Sequence, residues 1–546
     1  VYRIMQIRNR FRIFDSIVQG DTQMKKTRLF GSLLALSLTV GVALTGCGAG
    51  TEQQNANGAP ASEAAKEGGT LIVARKADAN NLDPHFISNI PSANYIYGKV
   101  YESLVARDKN AGYKPALATE WKQVDDLTWE FKLREGVTFH DGTPFNAEAV
   151  KKTFERALDP KVGSPRASNF AMIKEIKAVD DKTVQFILDY PFAPLLSILA
   201  STEGSIISAK AIAEGADTLA RKPVGTGPFK FEDWIPGQEM TLAKNENYWG
   251  EKPKVDKVQY KVVPEDTTRI AMVEAGEAHI GDQLPVTEVE RAQATPSMNM
   301  VRAEGLGVEY IGFNVTKKPF DDIRVRQAVA HAIEKEAIVK GVYNNVGTEA
   351  VSSMSPKVIG YNPNLEDYKY DVNEAKSLLA AAGYANGFKT SIVTDDRKER
   401  MNVAEVIQSQ LKGIGIDVEI KVMEYGAYLE YTDKGEHAMF IGGWGNATGD
   451  GDYNQYNVFH SSSKGSAGNI AFYNNPEVDK LIEEGRREKD EAKRNAIYAK
   501  LQEIELKEVP VIPIRTIDHV SVTAKDVKGF WLSPVGYLML DEVTIQ

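Results

Sequence analysis

The residues from 402 to 423 read NVAEVIQSQLKGIGIDVEIKVM, a helix that runs straight into a strand. In the strand, Ile416, Val418, Ile420 and Val422 alternate with Asp417, Glu419 and Lys421, the period of a sheet with one covered face. A second apolar strand, HAMFIGGW, follows at 437–444. Strands and helices in that alternation imply α/β layers built on a largely parallel sheet. At 546 residues the chain is too long for one hydrophobic core, so two or three domains are expected.

The rest of the chain fits that frame in sections. Leu71-Ile72-Val73-Ala74 reads as a first buried strand, and SANYIYGKVYESLV (92–105) has helical spacing, with Tyr97, Val100, Tyr101 and Leu104 on one stripe. Between 111 and 221 the texture changes to alternating strands, such as LTWEFKLREG and KTVQFILDYP. One helix in that section, NAEAVKKTFERAL, is capped by Asn146. This section reads as an inserted β-rich domain, and PVGTGPFKFEDW (223–234) resumes the first domain. Beyond 313 come the amphipathic helix VRQAVAHAIEKEAIV and the helix NEAKSLLAAAG, stopped at Gly383.

The N-terminal part specifies a compartment. From Met24 the chain reads MKKTRLFGSLLALSLTVGVALTGC, a basic front and an apolar run too short to span a bilayer, so 24–46 is a secretory signal. Its end, Leu44-Thr45-Gly46-Cys47, resembles the lipobox of bacterial lipoproteins, and Cys47 is the single cysteine of the chain. Cys47 is therefore the expected acylation site and the membrane anchor. Residues 1–23 fit no targeting pattern and read as a mis-called upstream segment. After Cys47, the stretch to residue 69 lacks Val, Ile, Leu, Met and aromatic residues, the composition of a flexible tether. A chain starting at Cys47 carries 58 basic and 73 acidic residues, a net of about −15, which argues against nucleic acid as a partner.

Catalytic and metal signatures are missing. The seven histidines are scattered, and there is no HExxH, GxSxG or phosphate-binding GxxxxGK[ST]. The glycine-rich GGWGNATGDGDYNQY (442–456) places Asp450 and Asp452 beside Trp444 and Tyr453. Asp450, Asp452 and Asn454 start like a calcium loop, but Gln455 and Ser461 stand where that loop needs Gly and Glu.

Four segments in order, FHDGTPFNAEAVKKTFERAL (139–158), PVGTGPFKF (223–231), FNVTKKPFDDIRVRQAVAHAI (313–333) and AEVIQSQLKGIGIDVEI (404–420), are similar to family 5 extracellular solute-binding proteins, the dipeptide, oligopeptide and nickel receptors of ABC importers. The resemblance implies the type II periplasmic-binding-protein fold: α/β lobes joined by a hinge, one from 70–110, 222–312 and 513–546, the other from 313–512, with 111–221 inserted. It implies a receptor, not an enzyme, that needs no cofactor, works as a monomer and hands its ligand to a permease with ATPase subunits. Closure of the lobes would be a population shift driven by ligand contacts.

The family meets a ligand's α-amino group with an acid in the loop after a Gly-Trp strand end, which here points to Asp450 and, second, Asp452. The pattern Trp-Gly-x-x-Thr-Gly-acid-x-Asp resembles the glutathione-binding subgroup. Arg397 and Arg400 are the implied carboxylate partners, Gly443, Trp444, Tyr453 and Tyr97 the implied walls, and Ser88 a contact from the first lobe. The expected ligand is thus glutathione or a di- or tripeptide. A nickel chelate, haem or oligosaccharide in the same fold, and a secreted hydrolase using the acid pair, remain open at this stage.

Overall fold

The computed structural model describes residues 68–546 apart from 88, 466 and 467. The signal, Cys47, the tether up to residue 67 and Ser88 lie outside the described residues. One ten-stranded sheet runs through the protein, in the order 416–423, 388–395, 439–444, 298–313, 511–524, 280–281, 70–75, 257–262, 239–244 and 229–235.

The sheet is mixed. The strand Phe388–Asp395 pairs in parallel with both neighbours, as does Thr70–Arg75. The other five pairings are antiparallel. The largely parallel sheet read from the helix–strand alternation is corrected here, because 229–262 folds as an antiparallel meander and the strand 298–313 pairs antiparallel with both 439–444 and 511–524.

Those long strands, Met298–Phe313 and Val511–Ala524, join the two lobes. They pair along both halves, with register irregularities between Ala303 and Gly307 and between Glu309 and Tyr310. At Gly305 a Cβ would lie 1.8 Å from the Ile517 carbonyl oxygen, so only glycine permits this crossing. On one side of the irregularity a core forms around Leu71, Val73, Tyr101, Phe229, Leu242, Val258 and Tyr260. On the other, Ile311 and Phe313 pack with Val325, Ile392, Ile407, Ile416 and Ile441. The helix Lys398–Lys412 turns Val403, Ala404, Ile407 and Leu411 inward at helical spacing, as its sequence requires.

The insertion forms its own four-stranded antiparallel sheet from Ala118–Gln123, Thr128–Leu133, Thr183–Leu188 and Ile173–Asp180. The helix Ala147–Leu158 covers it, and Asn146 accepts a 3.1 Å hydrogen bond from the Ala149 N–H. Phe154 stacks edge-on against Phe186 and Phe170 at 5.1 and 5.3 Å.

Two helices differ from their sequence reading. The helix expected over 92–105 is Ile90–Ile96, started by the Asn89 cap with Pro91 in the first turn. It cannot continue, because Gly98 is left-handed (φ 70°) and Tyr97 bridges back to Tyr101. The run 325–339 divides into Ile323–Ala332 and Lys335–Gly341, since Ile333 adopts an extended conformation.

Candidate functional site

The strand Met439–Trp444 ends in the loop whose centre is Asn446. Its side-chain oxygen accepts from the N–H groups of Thr448 and Gly449 at 3.0 and 2.6 Å, and its amide donates to the Asp450 carbonyl at 2.8 Å. Asp450 then caps the helix Gly451–Phe459 through a 2.9 Å bond from the Asp452 N–H. The first part of the chain reaches this loop directly. Arg107 donates to the Thr448 carbonyl. Gly449 is left-handed (φ 71°), and a Cβ there would lie 2.8 Å from the Arg107 guanidinium carbon. Ser197 donates to Asp450 at 3.3 Å, and the Ala193 N–H donates to the Arg486 carbonyl at 2.8 Å.

Both loop acids are buried and already partnered. Asp450 binds Arg494 in a two-pronged pair at 2.8 and 2.6 Å. Burial opposes its charge, but the Arg494 guanidinium and the Asp452 N–H outweigh it and hold the carboxyl below its ordinary range. Asp452 lies 3.1 Å from Arg486 without hydrogen-bond alignment. Burial, helped by the Asp450 charge against Arg486, pushes its carboxyl up to about 6. Both acids therefore already have an arginine beside them in this structure. The arginines that meet these acids come from the helices Pro476–Arg487 and Glu491–Glu508. Sequence reasoning missed them, because nothing local links a charged helix to a loop more than thirty residues away.

Arg397 and Arg400 do come together. Asp395, at the end of its strand, accepts from Arg397 Nε and Nη2 at 2.9 and 2.7 Å and from Arg400 Nη1 at 2.6 Å. Glu309 lies 3.5 Å from Arg400 Nε and 2.7 Å from Arg515 Nη2. Arg515 stacks on Tyr343 at 3.5 Å. Burial disfavours the Glu309 charge, yet Arg515 and Arg400 keep its carboxyl below its ordinary value. Three guanidinium groups thus share two carboxylates. Arg400 is buried, whereas the Arg397 side chain is 53% exposed. A Cβ on Gly443 would lie 3.3 Å from Arg400 Nη2, which places this cluster against the strand that ends in Trp444.

The aromatic candidates divide between the lobes. Trp444 and Tyr453 pack with ring centres 5.4 Å apart, and the buried Trp444 indole N–H has no partner. Tyr97 donates to the Ala200 carbonyl at 2.6 Å and packs on Tyr537 at 4.9 Å. Tyr97 and Tyr537 line a cavity of about 180 Å³ together with Trp249, Trp531, Arg107 and, from the loop after Trp444, Ala447. Neither Trp444 nor Tyr453 lines it. Among the described residues no three His, Cys, Asp or Glu side chains gather as a metal set. No helix among them is long and apolar enough to cross a membrane.

Known proteins share this architecture. Residues 112–466 match the model of bacterial extracellular solute-binding proteins, family 5. A glutathione-binding protein, GsiB, of Escherichia coli O1:K1 is 32% identical over 492 residues, 88% of this chain and 95% of that protein. Heme-binding protein A of Haemophilus influenzae is 32% identical over 535 residues, 92% and 98% of the two chains. Among solved structures, the ABC transporter-associated periplasmic binding protein DppA from Helicobacter pylori, in complex with peptide STSA, superposes with a TM-score of 0.75. It is 34% identical, covering 88% of this chain and 98% of that one. The chain belongs to the family 5 bacterial extracellular solute-binding proteins and is a substrate-binding protein of the ABC-importer type, not an enzyme.

Proposed function

We propose that the ligand is a small peptide, glutathione or a di- or tripeptide, enclosed between the lobes and delivered to a membrane permease. The observation that carries this reading is the cluster of Arg397, Arg400 and Arg515 around Asp395 and Glu309, which holds one positive charge more than it neutralises. A ligand carboxylate entering beside Gly443 would balance it, and charged hydrogen bonds of that kind are the strong ones. The glutathione-binding and peptide-bound relatives support the same class. Trp444, Tyr453 and Tyr97 supply apolar walls. Asp450 and Asp452, each with its arginine, serve in this reading to hold the loop closed on the partner lobe.

Calorimetry of the purified protein with glutathione, dialanine and trialanine tests the reading. Binding of at least one near micromolar Kd, about −8 kcal/mol, is expected. No heat with any of them, or haem retained through purification, refutes it. We further propose that Cys47 carries a lipid that anchors a monomeric receptor outside the cytoplasm. Cys47→Ser should then move the protein from the membrane to the soluble fraction, and unchanged fractionation would count against the anchor.

A further inference from the structure

The cavity of about 180 Å³ beside Tyr97 and Tyr537 has walls from several segments and one acid that none of them satisfies. One wall is the hairpin of Trp531–Leu532 and Leu538–Met539. Asn94 clamps that hairpin to the helix Ile90–Ile96, donating to the Gly536 carbonyl at 3.0 Å and accepting from the Leu538 N–H at 2.7 Å. Tyr97, just after that helix, packs on Tyr537 at 4.9 Å, and Tyr248 and Trp249 form a further side. Leu306, in the irregular crossing of the long strands, and Ala447, in the loop after Trp444, complete it. The cavity therefore borders the same loop as the proposed ligand site. Cavities of roughly 150 Å³ hold a benzene-sized group, so this one has room for a side chain and not for a whole peptide.

Three acids and two bases line it: Glu102, Asp108 and Asp541 against Arg107 and Lys114. Glu102 accepts hydrogen bonds from Thr226, Tyr248 and Trp249, each at 2.8 Å. Asp108 accepts from the N–H groups of Asn110 and Gly112 at 2.8 and 2.9 Å. Arg107 donates to the Ala111 and Thr448 carbonyls and lies over Tyr113 at 4.6 Å, while Lys114 is exposed. Asp541 makes no hydrogen bond or ion pair among the described residues, and its Oδ1 is buried. Lys99 does not supply the missing charge. It is buried and donates to the Tyr97 carbonyl at 3.2 Å, and burial and the Arg75 charge lower its ammonium to about 7. Lys109 and Arg134 lie over the Trp531 and Trp249 rings at 5.2 and 4.1 Å, yet neither lines the cavity. The Trp531 indole N–H is buried and has no partner either.

We propose that this cavity takes the side chain of a lysine or arginine in the bound peptide, its cationic head at Asp541 and its methylene stem against Trp531, Trp249, Tyr97 and Tyr537. A buried carboxylate oxygen without a donor is costly, and an ammonium or guanidinium group removes that cost with a charged hydrogen bond. Aromatic faces attract the cation and cover the stem. A peptide also brings backbone carbonyl oxygens, the acceptor that the Trp531 N–H lacks. The ligand's α-amino group plays no part in this contact. The inference rests on the peptide reading above and, within it, favours di- and tripeptides with a basic side chain.

Calorimetry tests it with trialanine and with trialanine carrying lysine or norleucine at each position in turn. Norleucine keeps the apolar stem of lysine and lacks the charge. In wild type, lysine at one position should bind about 10–100-fold tighter than norleucine at that position, the effect of a buried charged hydrogen bond. In Asp541→Asn that ratio should fall to about one. Asp541 has no partner to lose, so Asp541→Asn should unfold at the wild-type temperature or above it. A lower unfolding temperature would reveal an internal partner and overturn the inference. No preference for lysine over norleucine at any position, or a preference that survives Asp541→Asn, overturns it and leaves the peptide reading standing. Wild type that binds none of these peptides overturns both.

Discussion

Asp450→Ala separates a structural acid from a ligand anchor. The Asp450 side chain is 3% exposed and that of Arg494 9%, and the two share a double hydrogen bond. Removing one partner strands a buried guanidinium, at about 3–5 kcal/mol. The cap on Gly451–Phe459 goes with it, about 1 kcal/mol, and so does the 3.3 Å bond from Ser197. These losses overlap, so a total of about 4–6 kcal/mol is expected. Urea unfolding followed by tryptophan fluorescence measures it. The double change Asp450→Ala with Arg494→Leu should recover much of the loss, because an apolar pair tolerates burial where a lone charge does not. The pH dependence has a definite sign. The folded carboxyl titrates below its unfolded value, so the Asp450 contribution is full above the unfolded pKa and fades as pH falls through the folded one. The reasoning is refuted if Asp450→Ala loses less than about 1 kcal/mol while peptide affinity collapses, for then the acid serves the ligand and not the loop.

Arg397→Ala removes a half-exposed side chain, so stability should change by less than about 1 kcal/mol while glutathione affinity falls about tenfold in calorimetry. Glu505→Gln should flatten stability against pH. The folded carboxyl holds its proton to about 8 while the unfolded one releases it near 4.3, so wild-type stability falls with rising pH across that window, by up to about 1.4 kcal/mol per unit. Urea midpoints between pH 5 and 8 would show the difference, and equal slopes would contradict a neutral buried Glu505. Gly305→Ala sets a Cβ 1.8 Å from the Ile517 carbonyl where the long strands cross, and should cost about 1–3 kcal/mol in urea unfolding. An unchanged midpoint would show that this crossing is looser than it looks.

Local chemistry made much of the fold legible. The alternation at 416–420, the helical stripe before it and the Asn146 cap depend on neighbours a few residues apart and are present in the structure, whereas Val422, read as covered, lies exposed near the strand end. The helix drawn through Gly98 was not, because the stripe of Tyr97, Val100, Tyr101 and Leu104 also suits a turn that buries the same side chains. The mixed sheet was equally hidden. Pairing direction depends on which strands meet, and 298–313 meets 511–524 across about two hundred residues.

For the site, sequence alone singled out the residue types and the loop, since an aromatic, glycines and acids at close spacing can be read from a string. Whether a charge is free or spoken for belongs to tertiary structure. Asp450 and Asp452 are both buried acids two residues apart, and no local pattern tells them apart. Only the fold sets Arg494 in a double hydrogen bond on one and leaves Arg486 beside the other without alignment. Electrostatic partnership acts through space at a few ångströms, and the chain does not record that distance until it has folded.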